Sequence, residues 1–110
     1  MHVRTSHILL AVPTMLFGLS QMAYARNYRN PEAKAEFRRE HPCPSTGKTT
    51  GPCKGYVIDH RIPLCQGSKD EPGNMRWQTF DQSILKDRWE CKPGWEKRLQ
   101  ECEANGCYAQ

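Results

Sequence analysis

The chain predicts a small α+β fold built on a strand, strand, helix core, with flanking short helices and disulfide cross-links. Two strand-like stretches carry the first part. Gly55-Tyr56-Val57-Ile58-Asp59-His60-Arg61-Ile62-Pro63-Leu64 has the β-branched and aromatic bias of a strand until Pro63 stops pairing, and Asn74-Met75-Arg76-Trp77-Gln78-Thr79 forms its partner. The loop between them, Cys65 to Gly73, is dense in turn residues and lets the chain reverse. Thr79 followed by Gln82 is a Thr-x-x-Gln capping box, which opens a helix from Phe80 to about Glu90. Six cysteines in 110 residues supply the cross-links.

The elements follow in order. Residues 1–25 read as a cleaved secretory signal peptide: Met1 to His7 is a short cationic segment, Ile8 to Leu19 is apolar, and Ala23-Tyr24-Ala25 is a small-x-small cleavage site. The apolar run is short for a bilayer span and contains Pro13 and Gly18. Cleavage after Ala25 leaves 85 of the 110 residues, enough for one small domain. Residues 26–41 form a tail and a short helix, with Asn30 as its cap, Pro31 at its first position and an end near His41 enforced by Pro42. His41 reads as a solvated helix end. Residues 42–110 form the domain proper, closed by a helix from Trp95 to Asn105 with Gly106 just past its end. On that helix Trp95, Leu99 and Cys102 share one face, and Trp77, Trp89 and Trp95 read as core.

The formal charge is +4, and losing Arg4 with the leader leaves 15 basic against 12 acidic side chains, or +3. So mild a balance permits a polyanionic partner without demanding one. Placement tilts it: Lys54, Arg61, Lys69, Arg76, Lys86 and Arg88 lie in or beside the two strands and the helix, and are candidate phosphate contacts. All six cysteines, Cys43, Cys53, Cys65, Cys91, Cys102 and Cys107, lie beyond the leader. No Cys-x-x-Cys spacing points to structural zinc, and export favours disulfides. Six cysteines allow 15 pairings. Cys43 to Cys53 across a Gly-containing turn and Cys102 to Cys107 near the C-terminus are the expected local pairs, which leaves Cys65 and Cys91.

Asp59-His60, Asn74 and the capped helix after it resemble the ββα-metal motif of HNH (His-Me finger) endonucleases, in a small, secreted, cysteine-rich bacterial subgroup. The resemblance spans Pro42 to Glu90 and rests on ordered signals: Asp-His-x-x-Pro-Leu, a Gly-containing loop, and Asn-Met-x-Trp-x-Thr, with fourteen residues from His60 to Asn74. It implies an exported, metal-dependent endonuclease that hydrolyses phosphodiester bonds of DNA, with RNA as a second substrate. His60 would be the general base, since its ordinary pKa lies near neutrality. Asp59 would hold a hard cation, and Asn74 would fix the loop and orient His60. Neighbouring strand residues face opposite ways, so Asp59 and His60 need a bulge or a strand end to address one phosphate.

The chain departs from the motif in the helix. Nuclease colicins and related enzymes carry further His or Asn ligands nine and thirteen residues after the central Asn, where this chain has Ser83 and Asp87. On the resemblance, Asp87 would serve as a second carboxylate ligand and Ser83, a poor ligand, would reach the metal only through water, a set that favours Mg²⁺ or Mn²⁺ over Zn²⁺. The expected protein is a monomer in the periplasm or the medium, without membrane association once the leader is gone. Two other classes compete: a non-catalytic HNH-like module that binds nucleic acid, and a small disulfide-rich secreted binding protein.

Overall fold

The computed structural model describes residues 2–3 and 29–109. The expected leader lies outside them, His2 and Val3 aside. Asn30 does not cap the first helix as expected: its side-chain oxygen accepts the Glu32 N–H and its carbonyl the Ala33 N–H, each at 3.1 Å, in a turn ahead of the helix, whose N-cap position is Glu32 without a side-chain cap. Helix α1 then runs over Ala33–Glu40, two residues later than a start at Pro31, and stops where His41 leaves helical geometry ahead of Pro42.

Strand β1, Tyr56–His60, pairs antiparallel with β2, Met75–Thr79, from Tyr56 opposite Thr79 to His60 opposite Met75. The register runs unbroken through Asp59, so the pair is presented by the strand end at His60 and not by a bulge. Between the strands, a 3₁₀ turn over Leu64–Gln66 ends at Gly67, whose φ of 85° suits a residue without a Cβ. A second 3₁₀ turn over Pro72–Asn74 delivers the chain into β2. Thr79 caps helix α2, Phe80–Asp87, by accepting the Gln82 N–H at 3.3 Å. This helix stops three residues short of the expected Glu90, although Glu90 N–H still donates to the Lys86 carbonyl at 3.0 Å. Helix α3, Trp95–Ala104, is followed by Gly106 at φ 71°, the left-handed exit its position predicts. The described residues thus form a small α+β fold with one two-stranded sheet, three α-helices and three disulfides.

The core lies between α1 and the sheet. Ala33 and Phe37 of α1 pack with Cys43 against Met75 and Trp77 of β2, flanked by Cys53, Tyr56, Ile58 and Ala109. Trp77 satisfies its indole by donating to the His41 carbonyl at 2.8 Å. The exposed His41 ring stacks on Phe37 with centroids 4.9 Å apart. Trp89 and Trp95 are only half-buried and stand outside this cluster, against the expectation that all three tryptophans share one core. Leu99 is the buried residue of α3, with Trp95 and Cys102 half-buried on the same face.

So thin a core leaves the disulfides a large share of the stability. Cys43–Cys53 and Cys102–Cys107 form as expected, and Cys65–Cys91 is the remaining pair. That last link, closing 26 residues, ties the loop after β1 to the chain after α2. Such cross-links persist in an oxidising environment, which agrees with export. No helix among the described residues is long and apolar enough to cross a membrane.

Candidate active site

At the end of β1 a cleft of about 210 Å³ is lined by Asp59, His60, Pro63, Leu64, Glu90 and the Cys65–Cys91 disulfide, with Arg29 beside them. Three parts of the chain meet here because Cys65–Cys91 pins the loop to the end of α2. Gln66 Nε2 reinforces the link by donating to the Glu90 carbonyl at 3.0 Å.

His60 is held from the loop. Its Nε2 lies 2.7 Å from Asp70 Oδ1, with side-chain exposures of 12% and 5%. The other Asp70 oxygen accepts the Asn30 N–H at 2.6 Å. Burial alone would raise the Asp70 pKa, but the hydrogen bonds from His60 and Asn30 and the charges of His60 and Arg29 outweigh it and hold the carboxyl below its ordinary value. An ionised carboxylate only accepts, so the Nε2 that faces it carries the proton. In the uncharged tautomer this leaves the lone pair on Nδ1, which makes no hydrogen bond among the described residues. Asp70 was missed in the sequence reading: an acid in a polar loop gives no periodic signal.

Asn74 does half of what was expected of it. Its Oδ1 accepts the Ile62 N–H at 2.9 Å, and its Nδ2 donates to the Ile62 carbonyl at 2.9 Å, with Ser68 Oγ and the Lys69 carbonyl each at 3.2 Å. It ties the loop together but makes no hydrogen bond to the His60 ring. Asp70 does the orienting.

Asp59 turns the other way, to α2 and the C-terminus. Its Oδ2 accepts the Tyr108 hydroxyl at 3.0 Å and lies 3.0 Å from Lys86 Nζ. Burial first, and then the Asp59 charge and hydrogen bond, push the Tyr108 pKa far upward, so its hydroxyl stays protonated. Lys86 was expected on the surface as a phosphate contact; it is instead 1% exposed, with Glu90 Oε2 and the His60 carbonyl each at 2.8 Å as further partners. Three oxygens thus stand within 3.0 Å of an ammonium that has three N–H donors. Glu90 also escaped the sequence reading, although Lys86 and Glu90 at i, i+4 were a legible signal.

The expected metal ligands do not assemble. Ser83 Oγ donates to the Phe80 carbonyl at 2.7 Å, within its own helix. Asp87 is exposed beside Glu90; burial first, and then the neighbouring carboxylate, raise its pKa against the opposing pull of Lys86. Among the described residues no three His, Cys, Asp or Glu side chains are placed to hold a metal. One of the two Asp59 oxygens, Oδ2, already serves Lys86 and Tyr108. As arranged, this donor set does not fit a hard divalent ion.

The remaining basic candidates stay at the surface. Arg61, Lys69 and Arg76 border a second cleft of about 380 Å³ with Ser68, Glu71 and Asn74. Arg61 there pairs with Glu103 of α3 at 2.9 Å, and Arg76 donates to the Met75 carbonyl at 2.6 Å. Lys54 and Arg88 are exposed elsewhere and line neither cleft. Comparison of the chain with protein-family models, with curated proteins and with solved structures finds no match.

Proposed function

We propose that this chain is an exported endonuclease of the HNH type, a monomer that hydrolyses phosphodiester bonds of DNA, and of RNA as a second substrate, in the periplasm or the medium. One observation carries the reading: His60, at the end of an antiparallel hairpin followed by a capped helix, is fixed through Nε2 by Asp70, lines a cleft, and has no hydrogen bond to Nδ1 among the described residues. A general base needs this arrangement, one nitrogen anchored and the other free to take a proton.

In the proposed step a water oxygen forms the new bond to phosphorus while its proton passes to His60 Nδ1. The P–O3′ bond breaks, and the departing oxygen takes a proton from solvent. Asp70 acts through His60, as a positioning residue that favours the imidazolium once it forms. Arg61, Lys69 and Arg76, gathered around the neighbouring cleft, are suited to backbone phosphates. The Cys65–Cys91 link keeps the cleft wall in place.

A second reading has its own observation. Ser83 and Asp87 do not join Asp59 in a ligand set, which favours a non-catalytic HNH-like module that binds nucleic acid. Plasmid nicking by the disulfide-bonded protein, in EDTA, Mg²⁺ and Mn²⁺ and beside folded His60→Ala, separates the two. Nicking lost in His60→Ala supports the endonuclease. Intact plasmid under every condition, with retardation on a gel, supports the binding module instead.

A further inference from the structure

Lys86 is the buried charged group that the proposed reaction leaves without a role. It sits on α2 twelve residues after Asn74, between the motif positions occupied by Ser83 and Asp87, and its side chain reaches inward to Asp59. Lysine is rarely fully buried unless it is paired, and this one is paired with two carboxylates and the carbonyl of the proposed base. A dication on Asp59 would stand at about 2.0–2.6 Å from the carboxylate. On either oxygen it would be repelled by the Lys86 ammonium, which stands 3.0 Å from Oδ2 of the same carboxylate.

We propose that Lys86 is the resident cation of this site: its ammonium takes the place on Asp59 that the motif gives to a divalent ion, and the chain hydrolyses phosphodiesters without one. A lysine is a compact point charge, and here its ammonium donates to the His60 carbonyl and Glu90 Oε2 and stands 3.0 Å from Asp59 Oδ2. Asp59 then serves to hold Lys86 and Tyr108, not a metal. The cation that meets the phosphate is Arg29, which lines the same cleft, is exposed, and offers a planar fork of donors. Proton and bond changes balance as in the step above, with water as the co-reactant and Lys86 keeping its proton throughout.

The claim about cleavage rests on the endonuclease reading, whereas the claim about metal exclusion can be tested apart from it. Mn²⁺ binding is followed by the electron paramagnetic resonance signal of the free ion, on the full chain produced with its disulfides formed. The wild type is expected to leave that signal unchanged, whereas Lys86→Met, with Asp59 and Glu90 released, takes up one Mn²⁺. Lys86→Gln, which retains a donor and most of the length, repeats the comparison should Lys86→Met not fold. In parallel, wild-type nicking is expected to show no loss in EDTA and no gain with Mg²⁺ or Mn²⁺. Stoichiometric Mn²⁺ uptake by the wild type that disappears in Asp59→Asn overturns the inference. So does nicking abolished by EDTA and restored by Mg²⁺, or a folded Lys86 variant that gains no ion. A wild type that neither nicks nor binds Mn²⁺ removes the endonuclease reading and the metal-free cleavage with it, while a Lys86 variant that gains the ion still identifies the residue that excludes metal.

Discussion

Asp59 and His60 are neighbours at the end of one strand, yet they enter two charge clusters of different kinds. His60 turns to the loop, where Asp70 takes one ring nitrogen and the other makes no hydrogen bond among the described residues. Asp59 turns to α2 and the C-terminus, where Lys86, Glu90 and Tyr108 form a closed set. The His60 cluster is anchored and open; the Asp59 cluster is anchored and shut. Alternation of side chains along a strand makes the difference. An adjacent acid and histidine therefore need not share one substrate atom, even when both border one cleft.

The largest expected effect is on the open side. His60→Ala should lower the nicking rate by about 10²–10⁴-fold, the usual worth of a general base, with unchanged circular dichroism. A folded variant that nicks at the wild-type rate would move the base elsewhere. On the shut side, Lys86→Met should destabilise the protein, by at most about 3–5 kcal/mol in urea unfolding, because it leaves two half-buried carboxylates without their cation. The double variant Asp59→Asn, Lys86→Met should recover part of that loss. A double variant no more stable than Lys86→Met would mean that the Asp59 contact contributes little.

The disulfides sharpen the comparison, since one of them walls the cleft. By loop length, replacing the Cys65–Cys91 pair with serines should cost about 3.5 kcal/mol and replacing Cys102–Cys107 about 2 kcal/mol. Only the first should also reduce nicking at temperatures where both variants are folded.

Asp70→Asn should lower nicking while binding to DNA is retained. It also carries a pH signature. The folded-state Asp70 pKa is held below its ordinary 3.8, so the stability it contributes is present above that value and is lost as pH falls toward the lower folded value. Acid unfolding of Asp70→Asn should therefore be less steep below about pH 4. Equal steepness in both proteins would show that the His60 contact does not shift Asp70. The smallest effect is expected at the half-exposed Arg61–Glu103 pair: Arg61→Ala should cost less than about 1 kcal/mol, weakening with added salt.

Much of the fold was legible because it rests on local rules. The Tyr-Val-Ile strand, the Thr79 cap and the Gly106 exit depend on residues within a few positions of one another. The pairs Cys43–Cys53 and Cys102–Cys107 likewise span short turns. The site was legible only in part. His60 and Asp59 could be picked out by residue type and order, but their partners could not: Asp70 lies in a turn-rich loop, and Tyr108 follows Asp59 by 49 residues.

By itself, then, the sequence determined the order of strand, strand and helix, their capped ends, the mild positive charge and the local cross-links, because propensity, capping and turn chemistry act over a few residues. Only the tertiary structure decided which way each charged side chain faces. Lys86 read as a surface cation until the packing of α2 on β1 turned it inward, and once it was buried, desolvation required it to take Asp59 and Glu90 as partners. Asp70 reached His60 because the loop folded back on itself through Asn74 and was tied to the end of α2 by Cys65–Cys91. Contacts of that kind depend on where distant segments meet in space, which no local pattern encodes.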